Sequence, residues 1–255
     1  MPSHRTAIAA LLILSMAWPS CALAQVAAQA PSTAPGQAPG TGATHSAGTV
    51  DIEALPRPAS WMNVPKDFRR LAEDSFSITA SKETDLYNNA DSGLHVATAP
   101  MLLFPADDTF VLTTAVTVDF EREYDGGFLV VYSDPDHWVK LLFEQSHYGP
   151  FSVCSGVTNV GTDDSVHADV PGKVVFLRVT RARDLFGLYY SLDGQKWFYI
   201  RYFRFPVEGP LKVGFAAQSP AGERSTAVFS KIRYSPKAVG DFWTGEPEAE
   251  TPKPK

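Results

Sequence analysis

Cysteine is almost missing from this chain. Its 255 residues hold Cys21 and Cys154 only. Four methionines and 22 basic against 28 acidic residues complete a sparse inventory, with a formal net charge of −6. No basic stripe is present, so nucleic acid and anionic membrane are poor partners for the chain. No apolar run reaches the roughly 20 residues a spanning helix needs. Helical periodicity is scarcely found. The sequence also lacks a G-x-S-x-G elbow and a glycine-rich phosphate loop, which removes two common catalytic devices. His95, His137, His147 and His167 are scattered without zinc spacing.

What is present begins with a targeting pattern. His4 and Arg5 precede an apolar stretch from Ala7 to Ala17, and Ala22-Leu23-Ala24 fits a small-x-small cleavage site. Residues 1–24 therefore read as a secretory signal, with the mature chain starting at Gln25 and working in a periplasm or outside the cell. No transmembrane segment is expected once the signal is removed. Cys21 invites a lipid-anchor reading, but Trp18-Pro19-Ser20 is a poor lipobox, and the thiol is expected to leave with the signal. Cys154 then stands alone and forms no internal disulfide. Inside Phe151-Ser152-Val153-Cys154-Ser155 it reads as a buried, inert thiol on a strand.

Residues 25–57 are mostly an Ala/Pro/Gly-rich stretch that cannot bury enough surface to offset ordering entropy, and they read as a disordered linker. Residues 238–255 read as a flexible tail. Between them, residues 58–237 have the size of one domain. Short runs rich in Val, Phe, Tyr and Trp recur there, separated by turn chemistry such as Asp125-Gly126-Gly127, Ser133-Asp134-Pro135-Asp136 and Leu192-Asp193-Gly194. About a dozen strands without βαβ alternation predict an all-β, two-sheet antiparallel jelly-roll sandwich. One short helix is expected near Lys66 to Leu71.

The central hairpin, Tyr124 to Glu144, is the most informative segment. Period-two alternation puts Val139, Leu141 and Phe143 on one face, as core, and Trp138, Lys140, Leu142 and Glu144 on the other. At about 3.3 Å per residue, Lys140 and Glu144 lie about 13 Å apart along the strand and need separate partners. Arg178 is the expected partner of Glu144. Phe128 to Tyr132 is continuously apolar, as for a strand covered on both faces.

These residues carry a family resemblance. The chain resembles the DUF1349 family of the concanavalin A-like lectin/glucanase superfamily, in order and spacing from about Trp61 to Tyr234. Trp61-Met62-Asn63-Val64-Pro65 is similar to the family's opening, and Thr84-Asp85-Leu86-Tyr87 to its T-D-x-W element. Tyr124-Asp125-Gly126-Gly127-Phe128-Leu129 resembles Y-D-Q-A-G-L. Trp138-Val139-Lys140 with Glu144 resembles W-x-K and a downstream glutamate. Leu177-Arg178-Val179, Ser191-Leu192-Asp193-Gly194 with Trp197, and Gly214 to Pro220 follow. Three positions depart. Tyr87 replaces a tryptophan, Gly126 replaces a glutamine, and Thr162-Asp163-Asp164-Ser165 stands for S-D-W-S. The resemblance implies a jelly-roll fold and sugar contact rather than a reaction. The hairpin is also similar to the accessory β-sandwich of some xylosidases.

Three chemistries compete with solvated or structural roles for the polar residues. Glu121, Glu123 and Asp125 share i, i+2, i+4 spacing compatible with a carboxylate pair. However, E-R-E-Y-D does not match the E-x-D-x-x-E of the superfamily's glucanases, so no catalytic residue is assigned. Asp134 and Asp136, Asp107 and Asp108, and Asp163 and Asp164 are hard oxygen donors without a full ligand series. No cofactor or metal is expected, with a structural calcium as the alternative. Sugars call for aromatic platforms beside charged hydrogen-bonding groups, and Asp125, Trp138, Lys140, Glu144, Asn159 and Arg178 are the expected ligand-binding residues, with Tyr87 and Trp197 nearby. Trp138 and Trp197 as core, with the charges as an ion-pair network, is the competing reading. The function expected is an exported non-catalytic carbohydrate-binding, lectin-like module whose partner is a glycan or polysaccharide. A glycoside hydrolase or other glycan-active enzyme, and an envelope protein-interaction module, are the alternatives.

Overall fold

The computed structural model describes residues 48–147 and 149–249. The expected signal, Cys21, the linker as far as residue 47 and the end of the tail lie outside the described residues. The described chain forms eighteen strands and no helix. They are β1 (Ser60–Met62), β2 (Asp67–Ala72), β3 (Ser75–Ser81), β4 (Leu86–Asn88), β5 (His95–Ala97), β6 (Met101–Pro105), β7 (Thr109–Asp119), β8 (Gly126–Asp134) and β9 (His137–Gln145), followed by β10 (Phe151–Asn159), β11 (Gly161–Val170), β12 (Val174–Ala182), β13 (Leu185–Ser191), β14 (Trp197–Arg204), β15 (Lys212–Gln218), β16 (Arg224–Ser235), β17 (Val239–Asp241) and β18 (Glu246–Pro247).

Two seven-stranded antiparallel sheets build the expected jelly-roll sandwich. The front sheet runs β1-β6-β15-β8-β9-β10-β11 and the back sheet β14-β13-β12-β7-β16-β3-β2. The inner faces meet in one apolar core. Leu102, Phe104, Leu129, Val139, Leu141, Phe143 and Phe215 come from the front, and Phe76, Ile78, Leu112, Val116, Leu177, Phe186 and Phe229 from the back. Among described residues, no helix is long and apolar enough to cross a membrane.

The β8–β9 hairpin sits centrally in the front sheet, with Tyr132 opposite Trp138, Val130 opposite Lys140, Phe128 opposite Leu142 and Gly126 opposite Glu144. Its turn is tied by Asp134 Oδ1, which accepts from the Asp136 amide at 2.9 Å. Val139, Leu141 and Phe143 enter the sandwich core as the alternation requires. The outward face builds a second apolar cluster of Phe128, Val130, Tyr132, Trp138, Leu142 and Cys154, covered by Leu86 of β4 and Ala97 of β5. Phe128 to Tyr132 is thus covered on both faces, as its unbroken apolar character demands.

Three expectations are corrected. The segment expected as a helix near Lys66 to Leu71 is the edge strand β2, paired antiparallel with β3. Phe68 makes the difference, because it packs edge-on to Trp61 at 5.3 Å and lies 5.6 Å from Phe76, anchoring the segment to the sandwich. The order also extends past both ends of 58–237. Val50 bridges Ala59, and Ile52 and Leu55 are buried in the core although they sit in a stretch read as linker. Residues expected in a flexible tail form the β17–β18 hairpin, held by Tyr189, which donates to the Phe242 carbonyl at 2.7 Å, and by Arg178.

Candidate functional site

The β4–β5 segment covers only part of the outward face of the front sheet. Leu86 inserts over the second cluster, and Asn88 donates to the carbonyls of Pro135 and Val160 at 2.9 and 3.0 Å, which clamps the segment over the tip of the hairpin. Trp138 lies under this cover. Towards the other end of β9 the face opens into a cleft of about 460 Å³, lined by Lys140, Leu142 and Glu144 with Asp85, Tyr87, Tyr124, Asp164, Gln218 and Pro220.

Sheet register explains how these residues meet. Gln218 of β15 pairs with Gly126, and Gly126 with Glu144, so the three form one row across the sheet. Lys140 pairs with Gly156, and Gly156 with Asp164, in a second row. Gly126 lets the Leu142 side chain lie over the floor between Gln218 and Glu144. A Cβ there would lie 2.7 Å from Leu142 Cδ1 and 2.9 Å from the Phe143 carbonyl. The upper wall is placed by backbone bonds. Thr84 and Ser219 bridge, and Asp85 receives the amides of Thr98 and Ala99 on its carbonyl at 2.8 and 2.9 Å.

Charge is concentrated around one buried amine. Lys140 is 4% exposed, and its Nζ lies 3.8 Å from Asp85 Oδ1. The rings of Tyr87, Phe128 and Trp138 stand 5.8, 5.9 and 5.9 Å from that nitrogen, a range in which cation–π attraction acts. Burial pushes the Glu144 carboxyl up to about 7, opposed by Lys140 and by the Cys154 thiol, while Asp164 and Asp85 raise it further. Asp164, at the rim, is also raised, by desolvation first, with Lys140 opposing. The Cys154 thiol donates to Glu144 Oε1 at 3.3 Å, and burial drives its own ionisation far above the usual range, as fits an inert thiol.

The expected site residues separate. Lys140 and Glu144 share the cleft, joined by Tyr87. Trp138 is fully buried, with its Nε1 donating to the Pro135 carbonyl at 3.2 Å, and presents no sugar platform. Asp125 is also fully buried. Its Oδ2 accepts the Glu121 and Arg122 amides at 2.9 and 2.8 Å and its Oδ1 accepts from Ser219 at 2.8 Å, so it ties a loop. Asn159 is exposed at the β10–β11 turn and is not among the residues lining the cleft. Arg178 projects from the back sheet. It donates to Thr113, to the Thr244 carbonyl and to Glu246, and its guanidinium lies 3.7 Å from the centre of the Trp197 ring. The expected Arg178–Glu144 pair is therefore replaced by Arg178–Glu246, because the two residues belong to opposite sheets. Asp85, Tyr124, Asp164, Gln218 and Pro220 were missed as site residues. All five lie in segments already singled out by the family resemblance, Gln218 and Pro220 in its closing stretch.

Glu121, Glu123 and Asp125 occupy a turn beyond β7 rather than a strand face. Glu121 pairs with Arg224 at 3.3 Å and Glu123 with His147 at 3.0 Å. At least one aspartate of each pair considered for calcium has another partner: Asp134 binds His137 at 2.9 Å, Asp107 binds Arg57 at 2.7 Å, and Asp163 binds Arg201 at 3.2 Å. Among described residues no group of three His, Cys, Asp or Glu side chains is placed to hold a metal ion.

Among solved structures, a functionally unknown protein from Saccharomyces cerevisiae aligns at a TM-score of 0.64 with 24% identity, over 69% of this chain and 95% of that one. A xylan beta-1,4-xylosidase from Bacillus halodurans C-125 aligns at 0.50 with 15% identity, over 68% of this chain and 38% of that one. An engineered GH43 glycoside hydrolase aligns at 0.50 with 12% identity, over 81% and 44%. At these identities the likeness establishes the sandwich and no activity. No curated protein matches the chain. The family described as "Protein of unknown function (DUF1349)" matches residues 61–237, spanning both sheets and the cleft, and the chain belongs to that family, on a two-sheet β-sandwich.

Proposed function

We propose that this protein is an exported, non-catalytic carbohydrate-binding module that holds a glycan in the front-sheet cleft. The observation that carries this is the opening at Lys140 and Glu144, where a buried amine and carboxyls stand beside Tyr87 and Tyr124 in a space of about 460 Å³. That volume suits one or two sugar units. Sugars offer apolar C–H faces to aromatic rings and hydroxyls to charged hydrogen-bonding groups, and both kinds of surface line this cleft. Neither serine nor histidine is among its lining residues. A leader of the kind read at residues 1–24 would place the module in the periplasm or outside the cell.

The test is calorimetric titration with oligosaccharides identified on a glycan array. Binding that falls at least tenfold in Glu144→Gln and Tyr87→Ala, with the fold intact by circular dichroism, supports the reading. Absence of binding to every glycan overturns it. One observation favours a hydrolase instead: a carboxyl titrating near 7 in a cleft is suited to general acid catalysis. Turnover of aryl-glycosides that Glu144→Gln abolishes would establish that alternative.

A further inference from the structure

The cleft has an excess of hydrogen-bond acceptors. Asp85, Glu144 and Asp164 face a single amine, Lys140, and Asp85 Oδ1 already lies 3.8 Å from it. Asp164 is exposed at the rim. Gln218 adds an independent sign. It is 2% exposed and lines the cleft, and its Nε2 donates to the Tyr124 carbonyl at 2.9 Å, which fixes the orientation of the amide. Its Oε1 then has no hydrogen-bond partner among described residues. A buried acceptor left unpaired costs about 1–3 kcal/mol, so the site gains from a ligand that brings a donor.

We infer that the cleft selects a sugar unit bearing an ammonium, a non-acetylated amino sugar, over neutral units, and rejects uronates and sulfated sugars. The inference rests on the glycan-binding reading above. An ammonium supplies three donors and a positive charge, and meets surplus carboxylate in a partly desolvated site. A uronate brings only acceptors at its charged group and meets like charge. N-acetylation removes the charge and two donors from the same nitrogen.

Calorimetric titration of the intact protein with glucosamine tetramer, its N-acetylated form, xylotetraose and tetragalacturonate tests this. Glucosamine tetramer is expected to bind at least about tenfold tighter than the acetylated form, the size of one charge-assisted contact, with no binding of the uronate. Asp164→Asn should remove most of that margin without affecting the fold, since Asp164 is a rim residue. Asp108→Asn, at a carboxylate 89% exposed and outside the cleft, should leave it unchanged, which excludes general attraction of a cationic oligomer to an acidic chain. Equal affinity for the two forms, uronate binding, or a margin equally sensitive to Asp108 would overturn the inference while leaving glycan binding in place. No binding of any of the four, together with a blank glycan array, would defeat both.

Discussion

Trp138 and Glu144 project from the same face of β9, six positions apart, and meet opposite surroundings. Trp138 is fully buried beneath the β4–β5 segment, whereas Glu144 lines the open cleft. One strand face is therefore divided by its cover into a packed half and an open half.

Trp138→Ala should destabilise the fold by about 3–5 kcal/mol, the usual cost of removing a large buried aromatic. Trp138→Phe should cost less and leave ligand affinity within about twofold. Urea denaturation followed by tyrosine fluorescence measures the first, and titration the second. A Trp138→Phe variant that folds normally but loses binding would return this residue to the site.

Glu144 makes stability depend on pH with a definite sign. Its folded-state value of about 7 stands above the ordinary 4.5, so between those values the folded protein holds the extra proton. Stability is expected to fall as pH rises through that window, by up to about 3 kcal/mol in total. Glu144→Gln should flatten this part of the profile. Denaturant midpoints collected from pH 4 to 8 decide the matter, and an unchanged slope in the variant would place the titration elsewhere.

Arg178 and Glu246 hold the β17–β18 hairpin to the back sheet unequally. Glu246 is half exposed, so Glu246→Gln should cost less than about 1 kcal/mol. Arg178→Ala loses the Thr113 bond, the Thr244 carbonyl contact and the stacking on Trp197 as well, and should cost about 2–4 kcal/mol. Hydrogen exchange over residues 239–247 should accelerate markedly in Arg178→Ala and only slightly in Glu246→Gln.

Cys154 should resist thiol reagents in the native protein. Its side chain is buried and its ionisation is suppressed by burial and by the neighbouring Glu144. Reaction with a chromogenic disulfide is expected only after addition of denaturant. Labelling at a native rate comparable to the unfolded one would contradict the packing of the second cluster.

Much of the fold was readable from local pattern. The period-two alternation of Val139, Leu141 and Phe143 identified the core face, and turn residues marked the hairpins, because strand side chains alternate regardless of what surrounds them. The helix expected near Lys66 to Leu71 failed where a tertiary contact, Phe68 against Trp61 and Phe76, outweighed a weak local signal. Ile52 and Leu55 were missed beside an Ala/Pro/Gly-rich stretch, because the run from Val50 to Leu55 is short and only its core contacts show that it packs. For the site, Lys140 and Glu144 could be found from their unusual place on a sheet face. Arg178 could not be separated from them, because its strand gives no indication of which sheet it joins.

The amino-acid order on its own determined the all-β class, the central hairpin with its inward face, and the family, which follow from local alternation and from the order of motifs along the chain. Which outward residues meet was decided only in three dimensions. Register carries Gln218 and Glu144 into one row and Lys140 and Asp164 into another, although each pair is distant or differently placed in sequence. The β4–β5 cover then determines that Trp138 packs while Lys140 lines the open cleft, and the separation of the two sheets commits Arg178 to Glu246. These outcomes depend on long-range pairing, which no window along the chain contains.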